Sequence, residues 1–169
     1  MDSDHIVVGK ERQLFLDGLW TPDSKGVSRV LHTPERREQV LVPESPWERH
    51  GMPSCVGYFR DGDRYRMWYR CDDTAEGNPR FTAYAESEDG IHWEKPSLGL
   101  HEFNGSRDNN ILLEDSRLTY VFIDPRGKPE ERYKMVELVR DGGIRVRTSA
   151  DGLHWILPSD TVSSLHWDT

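Results

Sequence analysis

The chain has 169 residues, of which 31% are charged and 35% are hydrophobic, and its formal net charge is −8 at pH 7. This acidic balance argues against a nucleic-acid or anionic-membrane partner, because both need an excess of Lys and Arg on at least one face. Six Trp and six Tyr supply large aromatic anchors, so the composition predicts a folded, soluble chain rather than a disordered one.

Residues 1–50 form a leading segment ahead of the first repeated unit. The chain starts Met-Asp-Ser-Asp-His-Ile-Val-Val, without a basic region followed by a long apolar run, so we predict no signal peptide and, for the chain as written, a cytoplasmic location. No stretch approaches the length that spans a membrane. Close to the end of this segment, Trp47 and Glu48 stand just before the first predicted strand.

The first unit, residues 51–103, holds a series of short alternating segments. Cys55–Arg60 and Tyr65–Tyr69 flank the turn residues Asp61-Gly62-Asp63, and Phe81–Glu86 follows as a third strand. Alternation of this kind around Asp-Gly sequences is typical of antiparallel hairpins.

The second unit, residues 104–162, repeats this pattern. The run from Ser87 to Pro96 recurs from Ser149 to Pro158, an offset of 149 − 87 = 62 residues, and predicted strands precede both copies. Those of the second unit are Leu118–Ile123, Tyr133–Val136 and Gly143–Thr148. Since helical periodicity is absent, the sequence predicts an all-β fold with two four-stranded antiparallel sheets.

The repeated Ser-x-Asp-Gly-x-His-Trp sequence has a structural interpretation. In such a hairpin the Asp accepts hydrogen bonds from the turn backbone, the Gly supplies a positive φ, and the Trp packs against the sheet. His92 and His154 are therefore interpreted as turn residues, and we predict no metal site and no cofactor.

Two cysteines are too few for a disulfide scaffold, and neither has partners at zinc-binding spacing. A turn at Asp61-Gly62-Asp63 brings Cys55 near Cys71 across the hairpin. Both a cross-strand disulfide, which is strained, and two separate thiols stay open at this point.

Three segments carry a resemblance to a known group of proteins: Gly57–Arg70, Tyr84–Leu100 and Asn104–Ile111. They resemble the N-terminal half of five-bladed β-propeller proteins related to glycoside hydrolase families 32 and 43. The resemblance implies a propeller in which 51–103 is the first blade, 104–162 the second and 163–169 the start of a third. Five blades of this size need about 310 residues, so we expect the chain to hold an incomplete propeller.

The resemblance also implies where catalytic groups lie, because such hydrolases place carboxylates on the loops that lead into the innermost strands. Glu48 is the nearest acidic residue before the first inner strand, and Asp168 stands where a third inner strand is expected to begin. Arg117 precedes the second inner strand, and two tryptophans are suited to stacking on a sugar. The predicted site residues are catalytic Glu48 and Asp168, with Trp47, Arg117 and Trp167 as substrate-binding residues.

The implied activity is hydrolysis of glycosidic bonds in oligosaccharides or polysaccharides by two carboxylates without a cofactor. The alternative is a non-catalytic carbohydrate-binding or interaction propeller. It is favoured by the sequence Pro53-Ser54-Cys55, which stands where family 32 shows Asn-Asp-Pro. We expect the isolated chain to be inactive, and open blade edges favour self-association.

Overall fold

The computed structural model describes residues 9–10, 25–28, 30–48, 54–71, 80–114, 118–138, 143–158 and 162–163. Contacts divide the chain into two units, residues 1–37 and residues 38–169. In the first unit the described residues form no helix and no strand. The second unit contains the strands that position the candidate site.

Eight strands follow one another in the described part of the chain: β1 (Ser54–Asp61), β2 (Arg64–Cys71), β3 (Phe81–Ser87), β4 (Ile111–Glu114), β5 (Leu118–Ile123), β6 (Tyr133–Leu138), β7 (Ile144–Ser149) and β8 (Val162–Ser163). Two single-turn 3-10 helices, Pro46–Glu48 and Pro129–Glu131, precede β1 and β6. Among the described residues, no helix is both long and apolar enough to cross a membrane.

The strands form two antiparallel four-stranded sheets, ordered β1-β2-β3-β4 and β5-β6-β7-β8. This confirms the all-β prediction and the prediction of two four-stranded antiparallel sheets. The first sheet ends with β4 at Glu114, so that strand lies inside the range 104–162 that the sequence assigned to the second unit.

The geometry of the β1–β2 hairpin determines whether the two cysteines form a disulfide. Gly62 has a φ of 65° in the tight turn, as the Asp-Gly sequence predicts. An irregularity between Cys55 and Gly57 shifts the register by one residue, so Cys55 lies opposite Tyr69, whereas the regular register of the hairpin would place it opposite Arg70. Both cysteines lie in described strands, and no disulfide joins them, because Cys55 is exposed while Cys71 is buried in the core.

The two Asp-Gly hairpins have the same internal order. Ser87 pairs with Tyr65, and Ser149 pairs with Tyr133 at the corresponding position. The predicted hydrogen bonds are confirmed: Asp89 Oδ1 accepts from the amides of residues 91 and 92 at 2.7 and 2.8 Å, and Asp151 Oδ1 accepts from those of residues 153 and 154 at 2.8 Å. The turns are therefore built by short-range hydrogen bonds within each repeat.

The His side chains of these hairpins make equivalent local contacts in the two repeats, and the Trp side chains pack on apolar cores. His92 Nδ1 lies 2.6 Å from Asp89 Oδ2, and the second repeat reproduces this pair at 2.7 Å. Trp93 packs on the core of the first sheet and Trp155 on the core between the sheets, and both are half-buried.

Apolar side chains form two cores, one on each face of the first sheet. One face, which includes Met67 and Ala83, is covered by Leu41, Trp47 and Phe103. The opposite face packs against the second sheet through buried residues of both, namely Trp68, Tyr84, Leu112, Val121, Tyr133 and Met135. The second core therefore holds the two sheets face to face.

Strands β1 and β5 lie side by side in this stack and run in the same direction. A Cβ on Gly57 would lie 2.9 Å from the carbonyl oxygen of Val121, so only glycine permits this approach. At the end of β1, Asp61 hydrogen-bonds Tyr133, which pairs with the last residue of β5. We name the end where β1 and β5 begin the amino end, and the end where their hairpin turns lie the turn end.

Candidate functional site

Glu48 occupies the 3-10 helix that precedes β1, and only 1% of the residue is exposed. Its Oε2 accepts hydrogen bonds from the backbone amides of Glu44 and Ser45 at 2.9 and 3.0 Å, as a carboxylate that folds back on the start of its own helical turn. Oε2 also accepts from Lys95 Nζ at 2.8 Å, and Oε1 accepts from Tyr69 Oη at 2.6 Å. Both oxygens of the carboxylate are thus engaged.

This environment keeps Glu48 ionised. Burial acts to raise the pKa of Glu48, but the hydrogen bonds from Lys95, Tyr69 and the two amides outweigh burial and lower that pKa below its usual value. A general acid in glycoside hydrolysis needs a raised pKa, so Glu48 is suited to the role of an anion or base and not to that of a proton donor at neutral pH.

Trp47 connects the same cluster to the first core. Its Nε1 donates to Asn110 Oδ1 at 3.1 Å, and its ring meets Phe103 edge-on with ring centroids 5.5 Å apart. Asn110 Nδ2 in turn donates to Tyr69 Oη at 2.6 Å, so Tyr69 accepts one hydrogen bond and donates another to Glu48. Sequence reasoning did not single out Asn110, although a polar pair just before an apolar strand is a signal of this kind of backbone and side-chain bracing.

Replacement of Glu48 by Gln should lower the free energy of unfolding by about 1 to 3 kcal/mol at pH 7, because Lys95 loses its anionic partner in a buried site. Since the pKa of Glu48 is lowered on folding, its contribution is present above the ordinary value of 4.5 and is lost as the pH falls through the folded-state value.

Urea denaturation from pH 7 to pH 3 checks this expectation, because the difference between the natural chain and Glu48→Gln should shrink as the pH falls. The exposed Glu102→Gln variant is the control, and it should track the natural chain at every pH. A constant difference between Glu48→Gln and the natural chain would contradict the assignment.

Three predicted site residues, Arg117, Trp167 and Asp168, lie outside the described residues, and their roles stay predictions. In the sequence, Arg117 directly precedes β5, as Glu48 precedes β1 by a few residues. The structure therefore brings together Trp47 and Glu48 among the predicted residues, at the amino end of the first sheet, where Tyr69 of β2 reaches them.

A second charged cluster, which sequence reasoning missed, lies near the amino end of the second sheet. Glu137 on β6 is fully buried, and its Oε2 accepts from Nε of Arg145 at 2.9 Å and from Nε of Arg147 at 2.6 Å. The arginine side chains are 25% and 18% exposed. Alternation along β7 was a visible signal, because it places both arginines on one face.

A third cluster joins the two sheets at the turn end. Asp61 accepts hydrogen bonds from Arg132 and Tyr133, and Arg66 lies within 3.6 Å of it. Arg66 Nη1 also donates to Asp151 O at 2.6 Å. The hydrogen bond from Arg132 is the main cause that lowers the pKa of Asp61, so the carboxylate stays ionised and the cluster stabilises the stack.

Comparisons with known proteins give two relatives of this chain. No protein-family model matches the chain, and no solved structure matches it significantly. The chain is 35% identical over 102 residues to the uncharacterized protein Rv1502 of Mycobacterium tuberculosis strain ATCC 25618 / H37Rv, and the match covers 57% of this chain and 31% of that protein.

The second relative is the uncharacterized protein MT1551 of Mycobacterium tuberculosis strain CDC 1551 / Oshkosh, 32% identical over 105 residues, with 57% of this chain and 31% of that protein covered. The chain thus spans about a third of the length of the curated relatives that it matches. The chain is therefore similar to two longer mycobacterial proteins whose names state no activity.

Proposed function

We propose that this chain is part of a β-propeller protein that hydrolyses glycosidic bonds of oligosaccharides or polysaccharides. The observation that carries the proposal is the stacking of two equivalent four-stranded sheets, whose first strands β1 and β5 run side by side from the same end. Antiparallel four-stranded units that repeat around an axis are the blades of propellers, and their first strands line the central channel.

The position of Glu48 supports the same proposal. It stands ahead of β1 at the amino end, where the loops of successive blades would converge on one site. Hydrolysis of a glycosidic bond needs one ionised carboxylate and one carboxylic acid with a raised pKa. The lowered pKa of Glu48 suits the first role, and Asp168 is the sequence-based candidate for a second carboxylate.

One observation favours a second candidate function, a propeller that binds carbohydrate without cleaving it. Both oxygens of Glu48 are occupied by hydrogen bonds and the residue is 1% exposed, so a sugar atom has no access to it in this conformation. In that case Glu48 serves to hold the segment before β1, and recognition falls to neighbouring side chains such as the half-buried Trp47.

A paired assay of binding and hydrolysis distinguishes the two functions. The chain and the longer mycobacterial protein Rv1502 are each incubated with aryl glycosides and natural oligosaccharides, and released sugar and binding are measured separately. We expect the 169-residue chain to show no turnover, because its placed candidate carboxylate is buried, and we expect the longer relative to release sugar.

If the chain shows activity, the variants Glu48→Gln and Glu102→Gln are assayed to identify the carboxylate responsible. Turnover that is lost in the first and kept in the second would show that Glu48 is catalytic and would exclude the binding-only function. Binding without release by either protein would establish the second candidate. If neither protein bound nor cleaved any glycan of the panel, the proposed function would be wrong.

A further inference from the structure

The two sheets differ at one set of equivalent positions near the amino end. Tyr65 and Tyr133 are equivalent, because each pairs with the Ser that begins a repeated hairpin. Counting from them gives three equivalent positions that lie close together on one face of each sheet. The first sheet has Tyr69, Ala83 and Ala85 there, and the second has Glu137, Arg145 and Arg147. The first sheet builds the same architecture with a tyrosine and two alanines at these positions. The fold itself therefore does not require charges there.

The charges of these three side chains of the second sheet do not cancel. One carboxylate accepts from two guanidinium groups, which leaves this cluster with a net charge of −1 + 2 = +1. Each arginine donates through Nε to the same oxygen of Glu137. This bond orients the guanidinium group and leaves its terminal amino groups available as donors. Among the residues that the structure describes, Glu137 is the sole hydrogen-bond acceptor for either guanidinium.

In this cluster a buried carboxylate fixes the orientation of two partly exposed guanidinium groups, an arrangement that suits ligand binding. Glu137 is fully buried, whereas the arginine side chains keep 25% and 18% of their surface accessible. Guanidinium forks held in this way match the two oxygens of a carboxylate, and they do so better than a lysine because the donors are planar and fixed.

Its location connects the cluster to the proposed function. Glu137 pairs with Leu118, the first residue of β5, and with Arg145 near the start of β7, so the cluster lies at the end where the substrate is proposed to bind. We infer that Arg145 and Arg147 receive the carboxylate of a uronic acid unit, so that the substrate is an acidic glycan. This inference rests on the proposed function and narrows its substrate class.

The test compares ligands that differ in a single group. Binding of oligogalacturonate and oligoglucuronate is measured by calorimetry against the neutral oligosaccharides of the same length, with a sulfated oligosaccharide and sodium sulfate as further arms. We expect the uronates to bind the natural chain at least about tenfold more tightly than their neutral counterparts, since a charge-assisted bidentate contact is absent in the latter.

Variants at the two arginines assign the preference to this cluster. Arg145→Gln and Arg147→Gln should each remove the preference for uronates, and Arg145→Lys, which keeps the charge and a donor for Glu137, should reduce it. Arg64→Gln is the matched control, because Arg64 also binds a carboxylate, Glu86 at 2.8 Å, but lies at the turn end. Thermal unfolding of each variant shows whether it is folded, and Arg145→Lys keeps the test decisive if either Gln variant is not.

The outcomes separate the inference from the proposed function. A uronate preference that is lost in the arginine variants and kept in Arg64→Gln supports the inference. Equal binding of neutral and acidic glycans, unaffected by the variants, overturns it and leaves the proposed function standing. Tighter binding of sulfated glycan than of uronate, or of sodium sulfate without any glycan, overturns the assignment of a carboxylate. Absence of all glycan binding overturns both the inference and the proposed function.

Discussion

Replacing Gly152 with alanine should lower the free energy of unfolding by about 2 to 5 kcal/mol, whereas the equivalent change at Gly90 should cost about 1 to 2 kcal/mol. The two glycines occupy the same place in the two Asp-Gly turns, with φ values of 79° and 78°. Both substitutions therefore force an alanine into the left-handed region, and that part of the cost is common to both.

The difference between the two variants comes from the contact between the sheets. A Cβ on Gly152 would lie 2.8 Å from Trp68 Cζ2, 3.2 Å from Arg66 Nη1 and 3.3 Å from a ring carbon of Tyr133, while the nearest atoms to a Cβ on Gly90 are ring carbons of Tyr65 at 3.7 Å. Trp68 has no room to withdraw because it is fully buried and donates to Gly152 O at 2.8 Å. The overlap must move one sheet against the other.

Urea denaturation followed by far-ultraviolet circular dichroism measures both losses. The Gly90→Ala variant is an internal control for the backbone term, and its value is subtracted from that of Gly152→Ala. Equal losses in the two variants would mean that the turn of the second repeat does not press on the first sheet, and they would contradict the stacking described above.

Truncation of Trp68 to alanine should cost about 3 to 5 kcal/mol, the usual loss for a large aromatic side chain removed from a core. Its indole lies between the sheets, with its ring centroid 5.1 Å from that of Phe59 and 5.6 Å from that of Tyr84. No part of the residue is exposed, so the cavity left by the substitution is not open to solvent.

A milder variant, Trp68→Phe, isolates the hydrogen bond from Nε1 to Gly152 O. We expect it to cost about 1 to 2 kcal/mol in addition to the lost ring area, because the buried carbonyl loses a donor. Trp93→Phe is the matched control, since Trp93 Nε1 donates to Gly90 O at 3.1 Å within its own hairpin and the side chain is half-buried. Chemical denaturation should rank Trp68→Ala above Trp68→Phe and Trp68→Phe above Trp93→Phe; a loss at Trp93 as large as that at Trp68 would contradict the special role of the inter-sheet contact.

Short-range chemistry made much of the fold predictable. The Asp-Gly turns need nearby acceptors and a positive φ, and both requirements are met by residues within a few positions of each other, as at Asp151 and Gly152. The bulge near Cys55 was not predictable in the same way, because the strand pattern alone fixes a hairpin register only to within a residue. That shift moves the partner of Cys55 from Arg70 to Tyr69, one position further from Cys71 along β2.

The candidate site shows a similar division. The sequence singled out Trp47 and Glu48 from their position before a strand, but the partners of Glu48 come from far along the chain, at Tyr69 and Lys95. The pKa of Glu48 depends on those partners, so position alone could not show that this carboxylate is held ionised. The Glu137 cluster was missed because nothing in a strand pattern tells which of its faces meets another sheet.

By itself, the sequence determined the class of the fold, the existence of two equivalent units and the chemistry of their turns, because repeats, alternation and Asp-Gly turns are local properties of the chain. Only the tertiary structure decided that β1 and β5 run side by side, that Glu48 is buried with both oxygens engaged, and that Arg145 and Arg147 share one buried carboxylate. The physical reason is that close packing, desolvation and ion pairing are set by atoms that come together from distant positions, and no short segment contains them.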